Sequence, residues 1–159
     1  MRVGIGYDSH RFAPDRPLIL GGIHIPHEQG LTGHSDADAV AHAVTDALLG
    51  AAALGDIGTH FPPSDERWRG ADSIDLLRRA VGLLEERGFR VVNIDVTLIC
   101  EAPKLAPYVP AMRERLAATV GVDAEHVSVK GKTNETMGWI GRGEGIATVA
   151  VALIDTLGD

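Results

Sequence analysis

An acidic and an imidazole side chain stand two residues apart near the beginning of the sequence. Asp8 and His10 lie at the end of a segment, starting at residue 2, that predicts a first β-strand. Because side chains i and i+2 of a strand point to the same side, these two can contact one target. A carboxylate and an imidazole can bind a divalent metal, and this mixture of oxygen and nitrogen favours zinc. Such a pair at a strand end is more often only solvated or hydrogen-bonded to a turn, so it does not define a metal site by itself.

A polar stripe follows one face of a predicted helix at residues 36–54. Asp38, His42 and Asp46 recur every four residues in a segment otherwise rich in Ala, Val and Leu. A solvent-exposed face is the simplest interpretation, but Lys or Glu normally dominates such a face. We therefore predict that the stripe is sheltered and that His42 is the third ligand of the metal. Two histidines and one aspartate leave a coordination position open, as a catalytic zinc site requires. Asp46 is then expected to be the carboxylate that holds a histidine ring.

A second polar cluster is able to bind phosphate through a metal ion. It consists of Lys130, Lys132, Thr133, Asn134 and Glu135. A glutamate beside a hydroxyl and lysines can hold a Mg²⁺-bound phosphate, although a polar turn after a strand explains these residues equally well. The neighbouring glycine patterns each lack one required glycine, so the chain is not expected to be a P-loop or Rossmann protein.

The composition of the chain argues against several classes of protein. The 159 residues are 45% hydrophobic and 23% charged, which suits one globular domain with a real core. A net charge of −7 and an aromatic content of 4% argue against a nucleic-acid partner. The longest apolar run, residues 146–154, is too short to span a bilayer, and no signal-peptide pattern opens the chain. A single cysteine, Cys100, excludes an intramolecular disulfide framework. We expect a cytoplasmic protein without a membrane partner.

The elements that must position the polar residues follow from periodicity and turn residues. Strands are expected at residues 2–8, 18–20, 23–25, 89–100, 127–130 and 143–157, and helices at 36–54, 73–87 and 107–120. Ser35 and Asp38 resemble a capping box for the first helix, and residues 59–71 are expected to form a loop. The predicted fold class is α+β, a single domain over residues 1–159 with one mixed β-sheet covered by helices on one face.

Several motifs, in a fixed order along the chain, together resemble one enzyme family. They are Gly6–His10, His34–Asp38, His42–Gly50, Gly55–Gly58, Phe61–Pro62, Ala102–Lys104 and Gly141–Gly145. The family is that of the 2-C-methyl-D-erythritol 2,4-cyclodiphosphate synthases of the non-mevalonate isoprenoid pathway. The resemblance covers essentially the whole chain, and so many ordered motifs do not coincide by chance.

The resemblance implies a reaction. The family converts 4-diphosphocytidyl-2-C-methyl-D-erythritol 2-phosphate into the 2,4-cyclodiphosphate and CMP, a phosphorus–oxygen lyase reaction. The 2-phosphate of the substrate attacks its own β-phosphorus, so the protein supplies no covalent nucleophile and instead folds the substrate and neutralises charge. By resemblance, a zinc-type ion is bound by Asp8, His10 and His42, and a Mg²⁺ or Mn²⁺ that bridges the substrate phosphates is held through Glu135.

The resemblance also assigns roles to other side chains. His34 and Thr133 match the groups that stabilise the pentacoordinate transition state. The remaining substrate-binding positions are Ser35, Asp56, Ile57, Gly58, Asp65, Lys104, Lys132, Asn134, Trp139 and Arg142, beside Asp8, His10 and Glu135. The loop at residues 100–106 and the stretch from Lys132 are expected to receive the cytidine.

Three positions depart from the common family pattern. Pro63 stands where many members carry Asp, so a sugar-hydroxyl contact there is lost or moves to Asp65. Lys132 replaces a common Thr and adds a possible phosphate contact, and Trp139 replaces a common Phe and keeps an aromatic surface. None of the three is a metal ligand.

The family forms homotrimers with active sites between subunits, and an arginine matching Arg142 lies near the cavity on the trimer axis. The sequence leaves two other functions open. One is a metal-dependent phosphohydrolase that uses the same Asp/His site, although no histidine here is followed directly by aspartate. The other is a non-catalytic trimeric sensor of isoprenoid diphosphates.

Overall fold

Residues 1–158 are described by the computed structural model. The strands are β1 (Arg2–Ala13), β2 (Leu18–Leu20), β3 (Ile23–Ile25), β4 (Gly30–Leu31), β5 (Phe89–Ile99), β6 (Val127–Lys132) and β7 (Gly145–Thr156). The α-helices are α1 (Ala39–Ala51), α2 (Ile57–His60), α3 (Ser73–Glu86), α4 (Val109–Val120) and α5 (Gly138–Gly141). Short 3₁₀ turns lie at Glu66–Trp68, Ala106–Tyr108 and Ala124–His126.

The main sheet has five strands in the order β4-β1-β7-β5-β6. β1 and β5 both run antiparallel to β7, whereas β5 and β6 are parallel. The parallel pair requires a crossover, which the chain makes through α4. β2 and β3 form a separate hairpin. The predicted α+β class with one mixed sheet is confirmed.

Helix α1 packs against the centre of the sheet, and its contact with β1 depends on glycine. A Cβ atom at Gly4 or Gly6 would overlap the backbone carbonyl oxygen of Ala47 or Ala43 in α1. Only glycine in β1 permits this distance between strand and helix. Ten of the thirteen residues of α1 are buried, so the helix forms the centre of the core.

The opposite face of the sheet is uncovered in the single chain. Ile5 of β1 is 70% exposed, and Val3, Tyr7 and Val151 on the same face are also exposed. Side chains alternate between the two faces of a strand. Val3, Ile5 and Tyr7 of β1 therefore lie on the open face, and Gly4 and Gly6 lie on the face that α1 covers. The prediction that helices cover one face is confirmed.

Local boundaries differ from the sequence-based expectations. Helix α1 begins at Ala39, because Ala37 has a positive φ of 60° and cannot continue a right-handed helix. Its N-cap is Asp38, not Ser35, so the predicted capping box is wrong. The predicted loop at residues 59–71 contains the end of α2 and a 3₁₀ turn. No helix within residues 1–158 has the length and apolar character needed to cross a membrane.

Candidate active site

Three side chains from β1 and α1 converge on one point. Asp8 Oδ2 lies 2.8 Å from His10 Nε2 and 3.0 Å from His42 Nδ1, and the two ring nitrogens are 3.3 Å apart. Tetrahedral zinc with bonds of about 2.0–2.1 Å holds its ligand atoms about 3.3 Å apart. The three atoms therefore have the spacing and the chemistry of a divalent metal site with at least one open position.

The glycines of β1 explain why these residues meet. Gly6 packs against Ala43, the residue after His42. Asp8 follows Gly6 by two residues and lies on the same face of the strand. The strand therefore brings its carboxylate to the ring of His42 without any long loop.

Both histidine rings are oriented by contacts on the side away from Asp8. His10 Nδ1 donates to the carbonyl of Thr32 at 2.7 Å, which leaves Nε2 available to a metal. His42 Nε2 lies 2.8 Å from Ser73 Oγ and 3.1 Å from Ser35 Oγ. Metal-binding histidines are usually held in this way through their second nitrogen.

Asp46 does not hold a histidine ring, so that prediction is wrong. Its Oδ1 accepts a hydrogen bond from the backbone N–H of Ile57 at 2.8 Å, which joins α1 to α2. The first N–H groups of a helix need an acceptor from outside the helix, and α2 supplies such a donor next to Asp46. Asp38, at the other end of the stripe, accepts from the backbone N–H groups of Gly21, Gly22, Val40 and Ala41.

The electrostatics of the cluster favour a cation. Burial alone would raise the pKa of Asp8, but hydrogen bonds and charge from His10 and His42 outweigh burial and lower the pKa to about 2. Burial lowers the pKa of His42, yet the hydrogen bond to Asp8 and neighbouring carboxylates raise it overall. Asp8 therefore stays ionised, and positive charge is stabilised where the three side chains meet.

A cavity of about 270 Å³ opens beside His42. Its lining residues are His34, Ser35, His42, Ile57, Gly58, Phe61, Pro63, Trp68 and Leu76. His34 Nε2 and Trp68 Nε1 are buried and have no hydrogen-bond partner among residues 1–158. His34, Ser35 and His42 are the polar side chains in this lining apart from the indole of Trp68, and the other lining residues are apolar.

Two predicted substrate-binding carboxylates are engaged with neighbours and do not line this cavity. Asp56 caps α2 and accepts from Thr59, and this hydrogen bond lowers the pKa of Asp56. Asp65 accepts from the side-chain Nε and Nη2 and from the backbone N–H of Arg67, and these hydrogen bonds lower the pKa of Asp65. Both carboxylates are ionised. They lie at the two ends of residues 56–65, the segment that contributes Ile57, Gly58, Phe61 and Pro63 to the lining of the cavity.

A second cavity, of about 490 Å³, lies between the end of β5 and β6. It is lined by Cys100, Glu101, Pro103, Lys104, Leu105, Ala106, Val109, Val129, Gly131, Lys132 and Thr133. Thr133 Oγ1 donates to Glu135 Oε1 at 3.0 Å. Glu135 has a positive φ of 50°, a backbone conformation that is costly for such a residue and is often found at functional loops.

A third cavity, of about 400 Å³, places Trp139 beside His10, with Ser9, Arg11 and Glu144. Arg142 donates to Glu144 Oε1 at 2.8 Å on the exposed side of the same region. Trp139 is thus close to the metal cluster, whereas Arg142 is engaged with a surface carboxylate.

The sequence and the geometry identify the family of this chain. Residues 1–155 match the YgbB family. The 2-C-methyl-D-erythritol 2,4-cyclodiphosphate synthase of Symbiobacterium thermophilum is 64% identical over 154 residues, which cover 97% of this chain and 98% of that protein. The chain belongs to the YgbB family of 2-C-methyl-D-erythritol 2,4-cyclodiphosphate synthases.

Solved structures of family members have the same fold. The bifunctional IspDF from Campylobacter jejuni superposes with a TM-score of 0.94 at 41% identity, over 98% of this chain and 42% of that longer chain. The CDP complex of IspF from Plasmodium falciparum superposes with a TM-score of 0.87 at 31% identity, over 99% of this chain and 97% of that one. The resemblance to the synthase family is confirmed.

The residues predicted for the family reaction fall into two groups within one chain. His34, Ser35 and His42 share the smaller cavity, whereas Lys132 and Thr133 line the larger one. The two groups line different cavities, and no hydrogen bond or ion pair among residues 1–158 joins Glu135 to the metal cluster.

Several polar residues of the site were missed by the sequence reasoning. Ser73 and Asp36 contact each other next to His42, and Glu101 accepts from the backbone N–H of Asn134 at 2.8 Å. Ser73 follows the helix cap Asp72 and has the sequence context of an ordinary first-turn residue. Of these residues, only Asp36 had a signal in the sequence. It belongs to the Ser35–Asp38 motif, which places several polar residues directly before a buried helix.

Proposed function

We propose that the protein converts 4-diphosphocytidyl-2-C-methyl-D-erythritol 2-phosphate into 2-C-methyl-D-erythritol 2,4-cyclodiphosphate and CMP, as a phosphorus–oxygen lyase of isoprenoid precursor biosynthesis. The observation that carries this proposal is the Asp8–His10–His42 cluster, with His42 on the wall of a cavity that His34 and Ser35 also line. The high identity to a synthase over nearly the whole chain supports it.

The methylerythritol end of the substrate is assigned to the smaller cavity. Its volume of about 270 Å³ suits a branched four-carbon polyol with a phosphate. His34 and Ser35 offer polar contacts there, and the backbone at Ile57 and Gly58 lines the wall. Asp56 and Asp65 lie at the ends of the same segment, and a ligand hydroxyl can share their carboxylates with Thr59 and Arg67.

The cytidine end is assigned to the larger cavity between the loop at residues 100–106 and β6. Its volume of about 490 Å³ accommodates a nucleoside. Lys104 and Lys132 add positive charge for the diphosphate in a chain whose net charge is −7. The structure of the Plasmodium falciparum relative is a CDP complex, which supports a cytidine nucleotide as ligand.

Two metal ions complete the proposal. Asp8, His10 and His42 would hold zinc, and Glu135 would hold Mg²⁺ or Mn²⁺, for the phosphates of the substrate. When bound, such ions neutralise the phosphate oxygens and make the β-phosphorus more electrophilic. Glu135 is exposed and has only Thr133 as a side-chain partner, so its second carboxylate oxygen is available.

The chain acts mainly by holding the substrate in a folded conformation. When one cavity binds the polyol and the other binds the cytidine, the 2-phosphate oxygen of the substrate would lie in line with its β-phosphorus. A bond forms between these two atoms while the bond from the β-phosphorus to the CMP oxygen breaks, and CMP leaves with the electron pair. By the family resemblance, His34 and Thr133 would stabilise the charge that develops on the oxygens of the pentacoordinate phosphorus.

This reaction requires that the two cavities meet, which we propose happens between subunits of a homotrimer. The open face of the sheet carries Val3, Ile5, Tyr7 and Val151 as exposed apolar side chains. An apolar patch of this kind marks an interface with another protein surface. Burial of this face against two further copies would bring the cytidine cavity of one subunit to the metal cluster of the next. The free, buried Cys100 agrees with a reducing compartment such as the cytoplasm.

The test is incubation of the purified protein with the cytidylyl substrate, followed by phosphorus NMR and nucleotide analysis. CMP and a cyclic diphosphate in equal amounts are expected. Orthophosphate in place of the cyclic product would show a phosphohydrolase. Absence of turnover combined with tight binding of an isoprenoid diphosphate would show a sensor. Light scattering of the same sample gives the mass, and a monomer that turns over substrate would contradict the trimeric site.

A further inference from the structure

The hydroxyl of Ser73 lies between the ring of His42 and the carboxylate of Asp36. Its Oγ is 2.8 Å from His42 Nε2 and is hydrogen-bonded to Asp36 Oδ1. Ser73 is fully buried at the first residue of α3, and neither it nor Asp36 has a part in the reaction proposed above. The other nitrogen of the same ring, Nδ1, is the one that faces Asp8.

The direction of each hydrogen bond in this row follows from the groups themselves. A carboxylate only accepts, so Ser73 Oγ–H donates to Asp36. The hydroxyl has one hydrogen, and toward His42 it can then only accept. His42 Nε2 therefore carries a hydrogen and donates it to Ser73. In a neutral imidazole this leaves the lone pair on Nδ1, the nitrogen directed at the metal cluster.

Asp36 is itself held firmly enough to set this direction. Its Oδ2 accepts from the backbone N–H of Ser73 at 3.0 Å, and its Oδ1 accepts from the backbone N–H of Asp38 at 3.1 Å. Both carboxylate oxygens thus have fixed donors from the beginnings of α1 and α3. The carboxylate cannot rotate away from the Ser73 hydroxyl without breaking one of them.

We propose that Ser73, backed by Asp36, is a positioning residue that fixes the tautomer and ring orientation of His42 for metal binding. The hydrogen-bonded chain Asp36–Ser73–His42 therefore has the role that the sequence analysis predicted for Asp46. Residues in such outer positions typically change metal affinity about 10–100-fold when removed. The inference rests on the proposed function for the use of the ion in catalysis, but the binding of the ion can be tested without the reaction.

The hydroxyl of Ser35 offers a second acceptor to the same ring. It lies 3.1 Å from His42 Nε2, farther than Ser73, and it also accepts from the backbone N–H of Ala37. No carboxylate within residues 1–158 accepts from this hydroxyl, and its other hydroxyl neighbour is Ser73 Oγ at 3.4 Å. Removal of Ser73 is therefore expected to leave a weaker acceptor in place, so we expect a loss near the lower end of that range.

Zinc affinity of the metal-free protein, measured by competition with a chromophoric chelator, tests the proposal. Ser73→Ala is expected to bind zinc about tenfold more weakly, and Ser73→Thr, which keeps the hydroxyl, is expected to stay close to the native value. Asp36→Asn is expected to weaken binding, because an amide has only one acceptor atom for donors that now occupy two. The visible spectrum of the cobalt-loaded protein should shift with the zinc affinity, since it reports the geometry at His42.

Thr45→Val provides the matched control. Thr45 lies in α1, the helix of His42, and the change removes a hydroxyl that is as fully buried as that of Ser73. Thr45 Oγ1 donates to the carbonyl of Ala41 at 2.8 Å, and within residues 1–158 it makes no hydrogen bond to a metal ligand. Thermal unfolding of the metal-free variants measures the general loss of stability. The control is expected to lose stability while its zinc affinity and cobalt spectrum stay native.

Native zinc affinity in Ser73→Ala would overturn the proposal, and so would an equal loss in Thr45→Val. If Ser73→Ala does not fold, Asp36→Asn and Ser73→Thr decide the matter, and native affinity in Asp36→Asn overturns it. Failure of the proposed function is seen separately. A native protein that binds zinc but releases no CMP would refute the reaction, while the effect of Ser73 on zinc affinity would stand.

Discussion

Gly6 of β1 lies directly against the carbonyl of Ala43 in α1, with no room for a Cβ atom between them. This contact sets the distance between the strand that carries Asp8 and the helix that carries His42. Backbone packing therefore brings Asp8, His10 and His42 together, and the three side chains need no mobile loop to meet.

Substitution of Gly6 by alanine is expected to damage both the fold and the metal site. The new methyl group would force β1 and α1 apart, at a cost of about 1–3 kcal/mol in the free energy of unfolding. The displaced Asp8 should also bind zinc more weakly. Gly82→Ala in α3 is the control, since nothing lies within 4 Å of a Cβ there, and it should stabilise the helix by about 0.5–1 kcal/mol. Urea unfolding and chelator competition measure the two effects. Full native stability of Gly6→Ala would refute the packing argument.

Removal of His42 should strip the metal while the fold stays intact. His42→Ala leaves two protein ligands, which make a poor zinc site, and turnover should be abolished. His24→Ala, which changes an exposed histidine in β3, should retain both metal and activity. Metal analysis after gel filtration, together with circular dichroism, checks the result. Full zinc occupancy in His42→Ala would place the metal elsewhere.

The elements that carry the metal ligands could be predicted because their signals are local. Alternating residues in β1 and the four-residue spacing in α1 are enough to assign Asp8, His10 and His42 to one site. The contact of His42 with Ser73 could not be predicted, because Ser73 reaches the ring only through the packing of α3 on α1, which no local pattern encodes.

The misassignment of Asp46 has the same physical origin. A carboxylate on a sheltered helix face accepts from whichever donor the neighbouring backbone supplies. Here that donor is the N–H of Ile57 in the short helix α2, an element that the sequence reasoning treated as the end of a helix and a loop. The cavities likewise depend on loop conformation, which hydrophobic periodicity does not encode.

Loss of Asp38 should destabilise the protein far more than loss of an ordinary helix cap. Asp38→Ala leaves four backbone N–H groups without their acceptor, at Gly21, Gly22, Val40 and Ala41. A cap alone is worth about 1 kcal/mol, and each buried unpaired donor adds about 1–3 kcal/mol. We expect a loss of at least about 3 kcal/mol by urea unfolding of the metal-free protein.

Asp72→Ala is the matched control for that variant. The Asp72 carboxylate caps α3 and accepts, within residues 1–158, only from the N–H of Ile74, so its loss should cost about 1 kcal/mol. Equal losses in the two variants would contradict the view that Asp38 ties the β2–β3 hairpin to α1.

The thiol of Cys100 should react slowly at neutral pH. Burial, with a smaller contribution from the charge of Glu101, raises the pKa of this thiol to about 11. Because the thiolate is the reactive form, the alkylation rate should rise about tenfold per pH unit between pH 7 and 10. Mass spectrometry after iodoacetamide treatment measures the rate, with the unfolded protein as control. Cys100 lines the cavity that we propose binds cytidine, so CMP should slow the reaction further. A rate that levels off above about pH 9 would show that the pKa of this thiol is not raised.

Substitution of Glu135 by glutamine should separate the two proposed ions. The change keeps the size of the side chain but removes the charge that would hold Mg²⁺ against the α- and β-phosphates. Zinc occupancy should stay native, because Asp8, His10 and His42 come from β1 and α1. Charge on the departing CMP would be less well neutralised, so kcat should fall more than KM rises.

Added Mg²⁺ or Mn²⁺ should restore part of that rate, since the defect is weaker binding of an ion and not loss of an acid or base. Glu86→Gln, at an exposed position at the end of α3, is the control and should behave as the native enzyme at every metal concentration. Steady-state kinetics across a metal titration, with zinc analysis of the same samples, gives both readouts. Loss of activity without any response to added metal, or loss of zinc together with activity, would show that Glu135 does not anchor the second ion.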